Sequence, residues 1–349
     1  MKKSVLALAI LGAFAGAASA QSKVTLEGTI DLNARYIKND GSARAVSMGN
    51  NGLNASQLVF SGVEDLGGGL AASFQLNSGL SVDTGNSSGD AGQGGKFFNR
   101  RSTVSLSGGF GEIRLGRDYT PTYWNNALFD AFGNLGVANS LNVMQITGSS
   151  TFVRADNAIS YFLPSKLGGA YGQLMVAASE GAATNKGRYI GGRVGFAAGP
   201  FDISAAAAEQ RVDATGAKFK TYNVGGSYDL GVVKVLGYVN RDTLDLPVSQ
   251  RDTRGGVSVV VPMGQGEVHA GYSRGKSNVS GADNTTNQLG LGYVYSLSKR
   301  TAVYTTVSRL SNGNVATGSV SGAGNGSPVA APTPGGKSIG AEFGVRHFF

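Results

Sequence analysis

The chain lacks cysteine entirely and has only two histidines, one tryptophan and eight prolines among its 349 residues. Without cysteine it can form neither disulfide bridges nor thiolate metal sites. Its histidines, His269 and His347, lie far apart, and no cluster of histidine and acidic residues has the spacing of metal ligands. A P-loop sequence is also absent. We therefore expect no catalytic residue, no metal and no cofactor.

Long apolar runs are missing beyond the amino terminus. There, Lys2 and Lys3 precede a short apolar stretch, and the small residues 18–20 form a cleavage sequence, an order typical of a secretory signal peptide. The alternative, a membrane anchor, would need about 20 apolar residues in a row. We predict that residues 1–20 are a signal peptide, that residues 21–349 form one domain, and that no helix spans a membrane.

Acidic residues are the minority, at 22 against 30 lysines and arginines, which gives a net charge of +8. The basic residues are dispersed, and without a lysine and arginine block we expect no nucleic acid partner. In an exported chain, this excess of basic over acidic residues favours anionic solutes as partners instead. Glycine is abundant, at 55 residues without a collagen-like period, which is typical of a chain with many turns.

Period-two alternation is the dominant positive signal. Between residues 24 and 36, apolar residues such as Leu26 and Ile30 alternate with polar ones such as Glu27 and Asp31. This pattern predicts a strand with one apolar and one wet face. The strand is also long enough to cross a membrane, which takes about 9–11 residues.

The same alternation recurs between short glycine-rich turns and longer polar connections. The predicted short turns cover residues 64–69, 108–111, 164–169, 197–200, 229–231, 262–266 and 298–300. The predicted long connections cover residues 38–52, 79–99, 119–153, 180–187, 211–218, 243–253, 275–285 and 311–337.

Seven turns and eight loops join sixteen strands and place both termini on the short-turn side. An even strand count with short turns on one side is typical of an outer-membrane barrel. Closure would also pair every backbone group within lipid. The prediction is an all-β, sixteen-stranded antiparallel transmembrane β-barrel. The alternative, a soluble β-sandwich, usually has strands of about 5–6 residues.

The third long connection, residues 119–153, contains five large apolar side chains. They are Trp124, Phe129, Phe132, Leu135 and Val137. Since a wholly solvated loop would not need them, we predict that this loop folds into the lumen and narrows it. It could instead cover the barrel mouth or contact another subunit.

Strand parity places several charges on the wet face. The candidate pore-lining arginines are Arg35, Arg101, Arg114 and Arg154, and the candidate loop carboxylates are Asp118 and Asp130. Arginines on a wall opposite acidic loop residues would create a transverse field that sorts solutes by charge. Each arginine could also simply be solvated in the lumen.

Six short segments resemble a known family. They cover residues 24–28, 62–70, 115–121, 156–161, 297–301 and 344–349. In order and along the whole mature chain, they are similar to the general porins of β-proteobacteria such as Neisseria, Bordetella, Burkholderia and Comamonas. The resemblance implies a homotrimer, an inward third loop, and wall arginines at the eyelet that often favour anions. By position, Arg154 matches one such arginine, and Arg100 or Arg101 matches another.

The second strand departs from this family. Gln57 and Ser61 stand where the family usually has arginines, so we predict only a weak anion preference. The expected function is passive diffusion of ions and small hydrophilic solutes across the Gram-negative outer membrane. Expected partners are outer-membrane lipid and lipopolysaccharide, and the assembly machinery, which the resemblance implies reads the terminal Phe349.

Three other functions stay open at this stage. A solute-specific porin would need an ordered ladder of basic or aromatic residues. The long loops could make the barrel an adhesin or a phage receptor. An outer-membrane serine lipase would have to use His269 or His347.

Overall fold

A computed structural model describes residues 23–87, 95–146, 151–179, 186–212, 216–279, 284–320 and 329–349. The predicted signal peptide lies outside this range. The described strands are β1 Lys23–Asn39, β2 Ala45–Asn50, β3 Gln57–Gly67, β4 Leu70–Gly79, β5 Arg101–Gly108, β6 Gly111–Tyr119, β7 Arg154–Phe162, β8 Ala170–Ala177, β9 Tyr189–Ala198, β10 Phe201–Arg211, β11 Lys218–Asp229, β12 Lys234–Asp245, β13 Gln250–Met263, β14 Gly266–Ser277, β15 Asn284–Ser296, β16 Thr301–Asn312 and β17 Lys337–Phe348. One α-helix, α1, covers Pro121–Leu128, and a 3₁₀ turn covers Ser140–Val143.

The sheet closes on itself. Each strand pairs antiparallel with its neighbours, and β1 pairs with β17 over eleven positions, from Thr29 opposite Phe348 to Asn39 opposite Ser338. The last residue extends this seam, because Phe349 and Gly28 exchange backbone hydrogen bonds of 3.1 and 3.2 Å. A closed ladder leaves no edge with unpaired N–H and C=O groups.

Two of the seventeen strands share one position in the barrel. β2 pairs with residues 32–37 of β1, and β3 pairs with residues 23–29 of the same strand. The barrel therefore has sixteen positions, as predicted. The predicted loop at residues 38–52 was wrong in extent, because its second half returns to the wall as β2.

The seven predicted short turns all join consecutive strands on one side of the barrel. The long connection predicted at residues 243–253 is shorter than expected, since β12 runs to Asp245 and β13 begins at Gln250. The polar residues there indicated a loop, but Asp252 lies in β13 and is buried inside the barrel, as are Asp242 and Arg254 on either side of the predicted range.

The two faces of the wall differ as the alternation predicts. Apolar side chains such as Val239 and Phe343 point outward and are each 60% exposed. Their inward neighbours, such as Asn240 and Glu342, are almost fully buried. This inverted arrangement suits a barrel that is surrounded by lipid and has a polar interior. Among the described residues, no helix is long and apolar enough to span a membrane.

The closing seam generates a testable prediction at Gly28. A Cβ there would lie 2.7 Å from the backbone oxygen of Gln57 and would also overlap the Phe349 ring. We expect Gly28→Ala to lower the thermal unfolding temperature of the barrel in detergent, at a cost of about 1–3 kcal/mol for overpacking. The matched control is Gly109→Ala, where an added Cβ has no neighbour within 4 Å. Equal unfolding temperatures for both variants would contradict the prediction.

Candidate functional site: the constricted lumen

The third loop leaves the wall at Tyr119 and rejoins it at Arg154. Its first element is α1, which begins where the Thr120 hydroxyl accepts a hydrogen bond from the Tyr123 amide at 3.3 Å. Pro121 at the first helical position has the backbone angle that a helix start requires. The sequence therefore specifies a helix directly after β6.

Polar and aromatic contacts hold α1 against the inner wall. Asn125 donates a 2.8 Å hydrogen bond to Asn223 of β11, and Asn223 donates to the Thr122 carbonyl at 3.0 Å. Phe129 is 1% exposed and lies against Gly225, where an added Cβ would meet its ring. Packing against the inner wall thus explains why this loop contains large apolar side chains such as Phe129.

Asp130 organises the next part of the loop. Its carboxylate accepts hydrogen bonds from the backbone amides of Phe132, Asn134 and Ser140, at 3.1, 3.0 and 3.2 Å. Burial raises the pKa of Asp130 above its ordinary value, although these three amides oppose the shift. The carboxylate therefore serves as the hub of a turn and is also one of the groups that line the lumen.

The second half of the third loop is hydrogen-bonded to the wall at β15. The Gln288 side chain donates to the carbonyls of Ala138 and Asn139 at 2.9 and 3.0 Å. Val137 is fully buried in an apolar cluster with Val143, Leu310 and Val320. Since Val320 belongs to the last long connection, that connection packs onto the third loop.

A second segment, residues 51–56 between β2 and β3, also enters the lumen. The Asp31 carboxylate accepts hydrogen bonds from the backbone amides of Gly52, Leu53 and Asn54, at 3.2, 2.9 and 2.7 Å. The Gly136 amide of the third loop donates to the Asn51 carbonyl at 3.0 Å. The two inward segments are thus joined to each other.

The entry of this second segment into the lumen was not predicted from the sequence. The available signal was Asn50-Asn51-Gly52, since asparagine and glycine tolerate the left-handed backbone. Asn51 does adopt that conformation, with φ of 62°.

The space left between these segments and the wall is a cavity of about 860 Å³. It is open, and polar and apolar groups both contribute to its walls. Among the described residues, the acidic and basic side chains that line it are Arg100, Arg101, Asp130, Glu267, His269 and Arg346. Three arginines and two carboxyl groups thus face the cavity, which leaves a small excess of positive charge.

Arg101 is the predicted arginine that lines the cavity. Its guanidinium donates to Asp118 at 2.7 Å and to Gln75 at 2.6 Å. Arg35 lies elsewhere, in a buried ion pair of 3.2 Å with Glu342, and does not line the cavity.

Arg114 and Asp118 lie on the same strand and form an ion pair with each other, so they do not face each other across the pore. Arg114 donates to Glu112 at 2.7 Å and to Asp118 at 2.6 Å. The prediction that Asp118 is a loop carboxylate was wrong, because it lies in β6 and carries two arginine partners there.

Arg154 is buried beside the cavity. It donates to the Tyr119 hydroxyl at 2.9 Å, and its guanidinium lies 4.5 Å from the centre of that ring. Arg100 donates to the same hydroxyl at 2.9 Å and does line the cavity. Tyr119 thus links Arg154 to Arg100, which is one of the two candidates that the family resemblance gave for the second arginine.

Three lining groups were not selected from the sequence. Arg346 donates to Asn54 at 3.2 Å, and Glu267 contacts the His269 ring nitrogen at 2.9 Å. Phe132 also packs against the ring of His269. Strand parity would have found all three, because Arg346 is in phase with Glu342 and the other two are in phase with Ser273.

A closed antiparallel barrel with an apolar outer belt and a charged, constricted lumen defines an outer-membrane channel. The model of the Gram-negative porin family matches residues 7–315 of the chain. The chain belongs to this family. Porins are channels, so the protein is an outer-membrane diffusion channel of a Gram-negative bacterium and not an enzyme.

Individual relatives agree with this assignment. Outer membrane porin protein 32 of Delftia acidovorans is 36% identical over the full length of both chains. An outer membrane porin of Bordetella pertussis is 30% identical, over 87% of this chain and 93% of its own.

Solved structures show the same fold. An anion-selective porin from Comamonas acidovorans matches with a TM-score of 0.84 and 34% identity, over 94% of this chain and all of its own. OmpT of Vibrio cholerae, in a trimer form, matches with a TM-score of 0.68 over 94% of this chain and 99% of its own. At 14% identity, the second likeness shows the fold alone.

Removing the loop hub should widen the channel. We expect Asp130→Ala to free three backbone amides, loosen the third loop and raise single-channel conductance in planar bilayers. Asp130→Asn retains one acceptor oxygen and should change conductance less. The prediction fails if Asp130→Ala conducts like the unmodified protein while both barrels remain folded.

Proposed function

We propose that the channel is a general diffusion pore with a weak preference for anions, and that the third loop, predicted at residues 119–153, forms its constriction. The observation that carries the proposal is the charge balance of the cavity, with three arginines against two carboxyl groups. A relative that is 34% identical is an anion-selective porin, which supports the sign of the preference. Gln57, which lines the cavity without charge, supports its weakness.

The charges that line the proposed pore are separated along the wall. Arg101 is the first residue of β5 and Arg100 directly precedes it, at the long-loop end, whereas Glu267 lies at the short-turn end of β14. An ion that crosses the cavity therefore meets a field that varies along its path, in addition to the small net charge. Arg154 would act by positioning Tyr119, and we propose no pore-lining role for Arg35 or Arg114.

Selectivity can be tested by reversal potentials across planar bilayers in a salt gradient. We expect Arg101→Gln to lower the anion-to-cation permeability ratio roughly fivefold, because a unit charge about 8 Å away in water contributes about 0.5 kcal/mol to each ion, with opposite signs for anion and cation. Glu267→Gln should raise the ratio by a similar factor. The matched control, Arg241→Gln, removes an outward-facing arginine and should leave the ratio unchanged. Clear cation selectivity of the unmodified channel would overturn the proposal.

We further propose that the channel functions as a homotrimer in contact with outer-membrane lipid and lipopolysaccharide. Membership of the porin family supports this assembly, since the resemblance to the general porins implies a homotrimer. The outer belt of exposed apolar side chains supplies the surface for lipid and for neighbouring subunits. Phe349, which completes the closing seam, is the proposed recognition element for the assembly machinery.

The trimer makes a separate prediction. Purified protein should insert into planar bilayers in steps that close as three equal sub-levels, because each subunit would carry its own lumen. Cross-linking in detergent should give a three-chain product. Single, indivisible conductance steps together with a monomeric cross-linking pattern would contradict the assembly.

A further inference from the structure

Six glycines on the inner face of the wall lie beneath the third loop. They are Gly225 on β11, Gly271 and Gly275 on β14, Gly290 and Gly292 on β15, and Gly340 on β17. We call this set the glycine track. Its members share the inward parity of buried neighbours such as Asn223, Gln288 and Glu342.

Two aromatic rings of the third loop lie on the track. A Cβ on Gly225 would lie 2.2 Å from the Phe129 ring. The Phe132 ring covers the β15 part of the track, where a Cβ would lie 3.2 Å from the ring at Gly290 and 3.4 Å from it at Gly292. The rings therefore pack directly against backbone that has no side chains.

Small side chains of the loop also approach the track closely. A Cβ on Gly290 would lie 2.6 Å from the Ala138 Cβ, and a Cβ on Gly340 would lie 3.0 Å from the Val137 Cβ. Two saturated carbons in contact are ordinarily about 3.5–4.0 Å apart. Rotation of a side chain cannot relieve either contact, because each Cβ is fixed by its own backbone. A side chain at either glycine would therefore have to displace the loop.

Backbone conformation does not explain these glycines. None of the six has the left-handed backbone, unlike turn glycines such as Gly67 and Gly199, with φ of 81° and 55°. Glycine also weakens a strand interior, because it has no side chain to pack. Close approach of another segment is a recognised reason for glycine within a strand, and here that segment is the third loop.

The space between the loop and the track is already filled. The cavity left between Phe132, Ala138 and the wall is about 10 Å³, which is no more than one water molecule needs. Gln288, two residues from Gly290, donates to the Ala138 carbonyl at 2.9 Å and holds the loop at this place. Phe132 also lines the main cavity. A displacement of the loop away from the wall would therefore move it into the open lumen.

The facing wall has the opposite character. β3 to β5 lie about half-way around the ring from β11 to β14. The side chains of Gln57, Gln75 and Arg101, one on each of these three strands, line the cavity. One wall thus receives the loop on bare glycines, whereas the other projects long side chains into the lumen. The depth at which the loop lies on the track limits the width that remains between them.

We propose that the glycine track sets the size limit of the channel. Because these six positions have no side chains, the third loop lies deep against the wall and leaves the lumen wide on its other side. The track glycines are thus positioning residues, and a larger residue at one of them would move the loop towards the facing wall. The proposal rests on the proposed role of the third loop as the constriction, and it adds the residues that fix the depth of that loop.

The experiment combines single-channel conductance in planar bilayers with the swelling of liposomes in neutral sugars. We expect Gly290→Ala to lower conductance by about a quarter, because the loop has to move about 1 Å to restore a normal carbon contact. The ratio of trisaccharide to monosaccharide swelling rates should fall roughly twofold, since a narrower pore retards the larger solute more. A barrel that was merely less stable would change the number of channels and not this ratio.

The matched control is Gly237→Ala, which adds the same methyl group to the outer face of β12. There the Cβ would lie 3.5 Å from the Gly256 carbonyl oxygen, an ordinary contact. This variant should retain both the conductance and the sugar ratio of the unmodified protein.

An exchange variant tests the contact itself. Ala138→Gly combined with Gly290→Ala moves the methyl group from the loop to the wall and removes the 2.6 Å overlap. Conductance and the sugar ratio should return to the values of the unmodified protein. A double variant as narrow as Gly290→Ala alone would overturn the proposal.

Unchanged or raised conductance in folded Gly290→Ala would overturn it as well. If that variant does not fold, Gly340→Ala, which opposes Val137, replaces it with the same expectation and the same contrary outcome. Asp130→Ala separates this proposal from the proposed constriction. If Asp130→Ala widens the channel while the track variants have no effect, only the role of the track fails; if none of these variants changes conductance, the constriction itself fails.

Discussion

The backbone hydrogen-bonding requirement of a lipid environment is the constraint on which the rest of this structure depends. In hydrocarbon, each unpaired N–H or C=O costs several kcal/mol, so a sheet that crosses a membrane has to close. Closure here occurs between β1 and β17 and continues to Phe349, which pairs with Gly28. A ring of sixteen strands is too wide for its own side chains to fill, and a lumen follows from the closure.

Because the wall alone would leave a wide opening, the channel takes its shape from segments that leave the wall and enter the lumen. Two segments do so, and buried carboxylates that accept backbone amides fix each of them. Asp31 holds the segment between β2 and β3, Asp130 holds the turn of the third loop, and Glu342 accepts the Val137 amide at 3.2 Å. Asp31 and Glu342 hold these segments without lining the cavity, whereas Asp130 both holds the third loop and lines the cavity.

Basic side chains inside the barrel have two kinds of surroundings. Arg35 and Arg114 pair with carboxylates away from the cavity and are structural parts of the wall. Arg101 also pairs with a carboxylate, Asp118, but it lines the cavity, as does Arg346, so both can act on solutes. Access to the cavity, rather than the presence of a carboxylate partner, therefore decides what a basic residue can do.

The sequence by itself determined the strand count, the inward and outward face of each strand, and the third loop as an apolar insertion. These features are local, because a period of two and a glycine turn can be recognised within a dozen residues. The sequence could not determine which inward charges reach the cavity. Arg35 and Arg101 both lie on the inward faces of their strands, and they differ only in their neighbours across the barrel. Glu342 is 307 residues from Arg35, and the segment at 51–56 enters the lumen only because Asp31 on another strand accepts its amides. Such pairings are decided by closure of the barrel, and only the tertiary structure contains them.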